Sequence, residues 1–286
     1  MKKLAIASAL LATLAAVNVA HAYQTEVNVG YESTDFDSVN VFGTDVERSA
    51  DAITLNGRYY LAPVNTRNAP LAEAAFLDKA SSVALGYVSA DLDVKVGNVK
   101  VGSADLDLLG IAGEYYVPNS NFYVSAALNR SDVEGEKGNG FAVEAGYLPM
   151  AGLLLAVGIA DMEESIDPIQ AAKYGTLTSV GALDSAGEDT AATLRAKYVY
   201  KVGANDVNLE GNIVAGDETA YRVAADLYLD PTLSIGASFA DSTFDDSDSI
   251  FGVRAQKFLT PTIAVGGSYT TTDSADSFGL NLTARF

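Results

Sequence analysis

The residues of this sequence best suited to act on another molecule are charged side chains that alternate with apolar ones along extended stretches. If each stretch is a strand, these side chains fall on the face opposite the apolar residues. The set is Arg58, Glu114, Glu144, Arg195, Lys197, Glu210, Arg222, Asp226 and Arg254. Charges of both signs on one face could form opposed walls whose field orients dipolar or zwitterionic solutes. Alternatively, they pair with one another and only keep that face hydrated.

The composition argues against covalent catalysis. The 286 residues include no Cys and a single His, and this residue, His21, falls in a predicted leader. Without thiolates or imidazoles, a chain lacks the usual general base at neutral pH and the usual ligands for zinc. The formal net charge of -19 opposes binding to nucleic acid, which requires clustered Lys and Arg. We therefore expect no enzyme activity, no cofactor, no metal site and no nucleic-acid partner.

Residues 1–22 have the pattern of a secretory signal peptide. Two lysines precede an almost continuously apolar run at residues 4–19, and the tripeptide at 20–22 has the small-x-small pattern of a cleavage site. A retained transmembrane anchor is the alternative, but the apolar run is short and rich in Ala. The pattern predicts an exported protein whose mature domain, residues 23–286, begins at Tyr23.

After the leader, no stretch approaches the roughly 20 apolar residues that a membrane-spanning helix needs. Instead, apolar and polar residues alternate, as where Val27, Val29 and Tyr31 oppose Glu26 and Asn28. A period of two is typical of a strand with one apolar and one polar face. Fourteen such stretches occur, an even number, as in bacterial barrels with both ends on one side. We predict an all-β fold, a transmembrane antiparallel up-and-down β-barrel of about 14 strands; a soluble sandwich is the alternative.

The connections between these stretches are of two kinds. Short ones contain proline, which suits a tight turn and cannot continue a central strand. Longer ones are rich in Asp, Glu, Ser and Gly. The short connections are 117–119, 148–150, 230–232 and 260–262; the longer ones are 33–51, 89–104, 130–139, 161–189, 241–248 and 271–276, with a very tight one near 216–218. In outer-membrane barrels, short turns face the periplasm and long loops face outside, so the two kinds predict the orientation.

Two connections are candidate gates. The periplasmic connection 62–81 is far longer than the other turns, and its residues from Pro70 onwards predict a short helix with proline in the first turn. Its candidate gating residues are Pro70, Leu71, Glu73 and Phe76. On the outer side, the loop 161–189 is long enough to fold inward, and Asp167 and Pro168 lie in a candidate helical turn at 166–172. For both segments, a surface excursion is the alternative.

The chain ends in a long alternating strand that is closed by an aromatic residue. Phe278, Leu280, Leu282 and Phe286 share one face of this strand. This end resembles the C-terminal signal that the barrel assembly machinery recognises in outer-membrane proteins. Together with the leader, it predicts export to the outer membrane of a Gram-negative bacterium.

The segment Tyr59-Tyr60-Leu61 and the run from Pro70 to Val83 resemble a family signature. The family comprises small porins of gammaproteobacteria and includes the gated outer-membrane channel protein of Acinetobacter. This resemblance implies a monomeric, 14-stranded channel for passive, gated diffusion of small polar solutes and ions. The environment would supply outer-membrane lipids and lipopolysaccharide as partners. The rival function is a closed structural or adhesive barrel without transport.

Overall fold

The computed structural model describes residues 22–41, 43–66, 69–97, 99–161, 190–244 and 247–286. The predicted signal peptide, apart from Ala22, lies outside these ranges. Asp167 and Pro168 of the outer loop also lie outside them. Within the described ranges, no helix has the length and apolar character needed to cross a bilayer.

Fourteen β-strands account for most of the described chain. They are β1 (Ala22–Val41), β2 (Thr44–Asn65), β3 (Ser82–Val96), β4 (Val99–Tyr116), β5 (Phe122–Val133), β6 (Glu136–Met150), β7 (Leu153–Asp161), β8 (Ala191–Val202), β9 (Asn205–Ala215), β10 (Thr219–Asp230), β11 (Leu233–Ser242), β12 (Ile250–Thr260), β13 (Ile263–Thr271) and β14 (Ala275–Arg285). Each pairs antiparallel with its neighbours in sequence, and β14 pairs with β1. The predicted 14-stranded up-and-down barrel is confirmed.

The barrel closes where the two ends of the chain meet. Phe286 donates its backbone N–H to the carbonyl of Thr25 at 2.9 Å, and its own carbonyl accepts from Gln24 at 2.6 Å. These bonds continue the pairing of β1 with β14, whose register aligns Glu26 with Arg285. Because the last residues of the chain complete the seam, no open sheet edge remains between β1 and β14.

The apolar residues of the alternating stretches point out of the barrel. Leu85, Val157 and Leu280 have exposed fractions of 55%, 59% and 53%, and comparable apolar side chains occur on strands all around the sheet. A soluble sandwich would bury such a face in its core. The sandwich alternative is therefore wrong, and the outer surface has the apolar character that a lipid environment requires.

Three predicted loops are wrong, because strands fill them. The ranges 33–51, 89–104 and 130–139 belong mainly to extended hairpins whose strands meet at two-residue connections. In 33–51 and 130–139 both faces of the sheet carry polar residues, so the alternation that marks a strand in sequence is lost although the backbone pairing continues. In 89–104 the alternation persists, but the apolar residues Leu92 and Val94 fall on the face opposite that of Leu85. Gly97 and Gly135 occupy the turns with φ values of 59° and 92°.

The short connections lie together at the other end of the barrel. Pro231 and Pro261 stand in two-residue turns, as predicted, and Pro118 stands in the turn between β4 and β5. The prediction fails by two residues at Pro149, which continues β6, and the turn follows at 151–152. There Gly152 adopts φ 77°, and its backbone lies too close to Val199 to leave room for a side chain.

Between β2 and β3 the chain folds back inside the barrel. We call residues 69–81 the inner segment. It contains a 3-10 turn (Leu71–Glu73) and the one-turn helix α1 (Ala74–Leu77), so the predicted short helix is confirmed. Ala74 is fully buried against Tyr23 and Tyr60 near the seam. The alternative of a surface excursion is therefore wrong for this segment.

Candidate functional site

The interior of the barrel is the candidate functional site. All nine charged residues singled out in the sequence border one of two internal cavities, of about 290 and 380 Å3. Their strands, which run from β2 to β12, surround the interior. The assignment of these side chains to the inward face follows from the period of two along each strand. Their role in lining a solute path stays a prediction.

A first chain of ion pairs runs along the wall from β2 to β8. Arg195 donates to Glu144 through Nη2 at 2.7 Å and Nε at 3.0 Å. The same guanidinium donates to the hydroxyl of Tyr123 at 2.9 Å, and this hydroxyl donates to Glu114 at 3.2 Å. Arg58 then donates to the other oxygen of Glu114 at 2.8 Å. Shared partners restrict the positions of these side chains.

A second chain occupies the wall from β8 to β12. Arg254 donates to both oxygens of Asp226 at 2.8 Å, in the planar fork geometry typical of Arg with a carboxylate. The fully buried Asn208 donates to Asp226 at 3.1 Å and to Glu210 at 2.9 Å. Lys197 donates to Glu210 at 2.7 Å. The pairing of lumen charges, the alternative to opposed charged walls, is therefore present in both chains.

The remaining charge of the predicted set is Arg222, which lies on β10. It donates through Nη2 to the side-chain oxygen of Asn212 at 2.7 Å, in the amide orientation that satisfies both groups. Asn212 stands directly opposite Arg222 on β9 and also opposite Arg195 on β8. The pair thus extends the polar wall of the larger cavity.

The inner segment contributes Glu73 to the second chain. This carboxylate is only 4% exposed; it accepts from Lys197 at 2.7 Å and from the hydroxyl of Tyr228 at 2.7 Å. The ammonium group of Lys197 also lies 5.0 Å from the centre of the Phe76 ring, a favourable cation–π distance. One lysine therefore connects the inner segment with the barrel wall.

The beginning of the inner segment is held by the seam of the barrel. Leu71 donates its backbone N–H to the carbonyl of Pro231 at 2.8 Å, and its own carbonyl accepts from Arg285 at 2.8 Å. Arg285 lies between the rings of Tyr23 and Phe258, at 4.4 and 4.5 Å from their centres. Pro70 precedes these contacts and is fully buried.

Four of the residues that complete this site are not among the predicted site residues: Tyr123, Asn208, Tyr228 and Arg285. The first three stand at inward positions, and Asn208 and Tyr228 lie two residues from Glu210 and Asp226. Residues two positions apart on a strand share a face, so a polar residue two positions from a predicted charge could have been assigned to the lumen from the sequence. Arg285 is charged and alternates with the apolar face of β14, so the same pattern includes it.

The two cavities meet at the inner segment. Arg58, Glu73 and Lys197 border both, which places the contact between Glu73 and Lys197 at the boundary. The larger cavity is bordered mainly by β4 to β10, and the smaller one mainly by β10 to β14, β1 and β2. The interior is thus a space with polar walls that the inner segment divides.

A family model described as "Putative general bacterial porin" matches residues 1–286, the whole chain. The chain belongs to this family of bacterial porins. The expected resemblance to small porins is therefore confirmed. No curated protein matches the chain.

This porin is similar in structure to the outer membrane protein Omp33 of Acinetobacter baumannii. The two share 28% sequence identity and a TM-score of 0.67, over 93% of this chain and 99% of that one. The deltaS2 mutant of the TodX monoaromatic hydrocarbon channel gives a TM-score of 0.57 at 9% identity, over 93% and 91% of the two chains. At that identity the likeness concerns the fold alone.

Family and fold together place this porin in the outer membrane of a Gram-negative bacterium. The end with the short turns, where the inner segment lies, then faces the periplasm. Phe278 and Leu280 point outward, toward lipid, and Phe286 is also exposed. Leu282 follows Leu280 on the same face. Recognition of these four residues by the assembly machinery stays a prediction.

Proposed function

We propose that this porin is a narrow channel for the passive diffusion of small water-soluble solutes and ions, and that the inner segment gates it. The observation that carries the proposal is the boundary contact between Glu73 and Lys197, where a segment of the chain stands between two cavities with polar walls. Movement of this segment would join the cavities into one path. The outer loop with Asp167 and Pro168 remains a second candidate gate, outside the described residues.

The chemistry of the interior supports transport rather than catalysis. The charged groups are engaged with one another and with tyrosine and asparagine side chains, as described for Arg195 and Arg254. Ion pairs that already neutralise each other keep a lumen wet and polar without binding a passing solute tightly. We therefore propose a protein without enzyme activity and without a cofactor.

The surroundings of the barrel follow from its location. We propose that outer-membrane lipids and lipopolysaccharide contact the apolar outer face, and that the barrel assembly machinery inserts the chain. Because each described strand pairs with two others in the closed sheet, no strand edge needs a second copy, and we propose a monomer.

Planar bilayer recording tests the channel function. Addition of purified, folded protein should give stepwise increases in ionic current. Heat-modifiable migration on electrophoresis would verify that the barrel is folded in each preparation. Repeated absence of current with folded protein would contradict the channel and favour a structural or adhesive barrel.

Charge reversal at Glu144 should change the ion selectivity. Glu144 borders the larger cavity, and a lysine there would add positive charge beside Arg195, so anions should pass more easily relative to cations. We expect the reversal potential under a salt gradient to move toward the anion equilibrium potential for Glu144→Lys, and likewise for Glu210→Lys.

The matched control for this prediction is Glu136→Lys. Glu136 lies on the same strand as Glu144 but is exposed beyond the barrel wall, at the outer hairpin. Its reversal should change the potential much less. An unchanged potential for both lumen variants would show that these side chains do not face the ion path.

A further inference from the structure

One part of the wall of the smaller cavity, formed by β14, β1 and β2, carries uncharged amide and hydroxyl groups between the charged residues that also border this cavity. Asn28, Asn56 and Asn281 occupy inward positions on three adjacent strands, β1, β2 and β14. Asn28 and Asn56 stand directly opposite each other, and Asn28 donates to the hydroxyl of Thr283 at 3.0 Å. Gln256 extends the same wall on β12.

The three asparagines have unused hydrogen-bonding capacity. The Oδ1 atoms of Asn28, Asn56 and Asn281 are buried, and none accepts a hydrogen bond from the described part of the chain. Buried acceptors are satisfied in most proteins, so three in one patch indicate groups that another molecule completes. The terminal torsion of asparagine is broad, and a small rotation therefore turns each amide toward the cavity.

Glycines create the space for these amides. At Gly266 an added Cβ would lie 2.6 Å from Oδ1 and 2.8 Å from Nδ2 of Asn281. At Gly30 an added Cβ would collide with the hydroxyl of Thr54. Two inward positions thus carry no side chain, and a polar group from the next strand lies flat over each. The result is a shallow polar recess beside a cavity of about 290 Å3, close to the lower limit of small-ligand pockets.

The charged side chains around this recess already have protein partners. Arg285 donates to Glu26 at 2.7 Å, Arg254 is paired with Asp226, and Glu32 accepts from Ser277 at 2.9 Å. An ion that left water here would meet charged groups that already have protein partners, and the loss of its hydration would be poorly compensated. A neutral solute with several hydroxyl groups could exchange its bonds to water for bonds to amides and hydroxyls.

We propose that Asn28, Asn56 and Asn281 form a subsite for neutral polyhydroxylated solutes of about monosaccharide size. The proposal rests on the proposed channel function, because the solute reaches this wall through the pore. The subsite makes the porin favour such solutes over ions and zwitterions of similar size.

Ligand-observed saturation-transfer NMR on the detergent-solubilised barrel tests the subsite without requiring ion conduction. The probes are sorbitol, as a neutral polyol, and glycine betaine, as a zwitterion. We expect transfer to sorbitol to be clearly stronger than transfer to betaine. The variant Asn56→Leu/Asn281→Leu should lose most of the sorbitol signal, whereas Asn129→Leu, at a β5 position outside both cavity linings, should retain it.

A second variant and a liposome swelling assay test the subsite independently of the double variant. Gly266→Ala displaces the Asn281 amide without removing it and should also weaken the sorbitol signal, so the result does not depend on the double variant alone. Liposome swelling with sorbitol should be slower for both variants than for the wild type. Equal transfer to both probes, or an unchanged signal in the variants, would overturn the subsite. Absence of KCl conductance in the wild type would instead count against the channel.

Discussion

The variant Glu73→Ala is expected to conduct markedly more current than the wild type. Glu73 holds the inner segment to the wall through Lys197 and Tyr228, both at 2.7 Å. Its removal leaves Lys197 paired with Glu210, so no lysine charge is stranded and the barrel itself should stay folded. The segment loses its charged anchor at the boundary between the two cavities.

The expected size follows from the strength of such contacts. Hydrogen bonds to charged groups contribute about 1.5–3 kcal/mol, and each 1.4 kcal/mol changes an equilibrium about tenfold. Removal of this anchor should therefore raise the open fraction of the channel by about one to two orders of magnitude. Single-channel recording would show this as longer openings or a larger step in current.

The control for Glu73→Ala is Lys79→Gln. Lys79 belongs to the same segment but is exposed and donates to Asn121 at 3.3 Å outside the boundary. Its current should remain close to that of the wild type. If Glu73→Ala conducts like the wild type and is folded, the inner segment does not narrow the pore, and the gate must be sought elsewhere.

The strands could be predicted from the sequence because water and lipid impose opposite demands on the two faces. Where the outer face meets lipid, as at Leu85 and Val157, every second residue must be apolar, and the period of two is unmistakable. At 22 residues, β2 spans roughly 70 Å along its path, far more than a bilayer core requires. Its outer part is surrounded by water, so an apolar residue is no longer required at every second position. The sequence of that part therefore resembles a loop.

The charged residues of the lumen could be predicted for the same reason, but their partners could not. Arg58 and Glu114 lie on β2 and β4, with β3 between them, and Arg195 reaches Glu144 across β7. Such pairs depend on strand register and on the curvature of the closed sheet. Register depends on the turns of successive hairpins and curvature on the closure of all the strands, so the sequence around one charge gives neither quantity.

The side chains that contact Glu73 could not be predicted from the sequence either. A short helix with proline in its first turn can be predicted, whereas the direction in which it folds depends on distant residues. Here Lys197 and Tyr228 offer a cation and a hydroxyl to Glu73, and aromatic residues near the seam cover Ala74. A buried carboxylate is tolerated only with such partners, so the partners select the inward path.

Substitution of Arg285 is expected to impair two properties at once. Its guanidinium is 4% exposed, pairs with Glu26 at 2.7 Å, and donates to the carbonyl of Leu71 at 2.8 Å. Arg285→Ala leaves Glu26 without this cation and removes the group that lies between the rings of Tyr23 and Phe258. Loss of one partner of a buried pair costs about 3–5 kcal/mol, so the barrel should unfold at a lower temperature.

The same variant should also open the channel, because the inner segment loses its contact with the seam. Glu26→Gln separates the two effects: it weakens the ion pair but keeps the bond from Arg285 to the Leu71 carbonyl. We expect Glu26→Gln to lower the unfolding temperature with little change in conductance, and Arg285→Ala to change both. Heat-modifiability measured by electrophoresis and single-channel recording provide the two readouts.

A comparison with Glu73→Ala then tests whether the two contacts hold the same element. If Arg285 and Glu73 both hold the inner segment in place, either substitution alone already frees the segment. The effects of the two substitutions on conductance should then not add in the double variant. Additive effects would indicate two independent constrictions. A lower unfolding temperature with unchanged conductance for Arg285→Ala would restrict this residue to barrel closure. The joint result would therefore decide whether the residue that completes the barrel also sets the position of the gate.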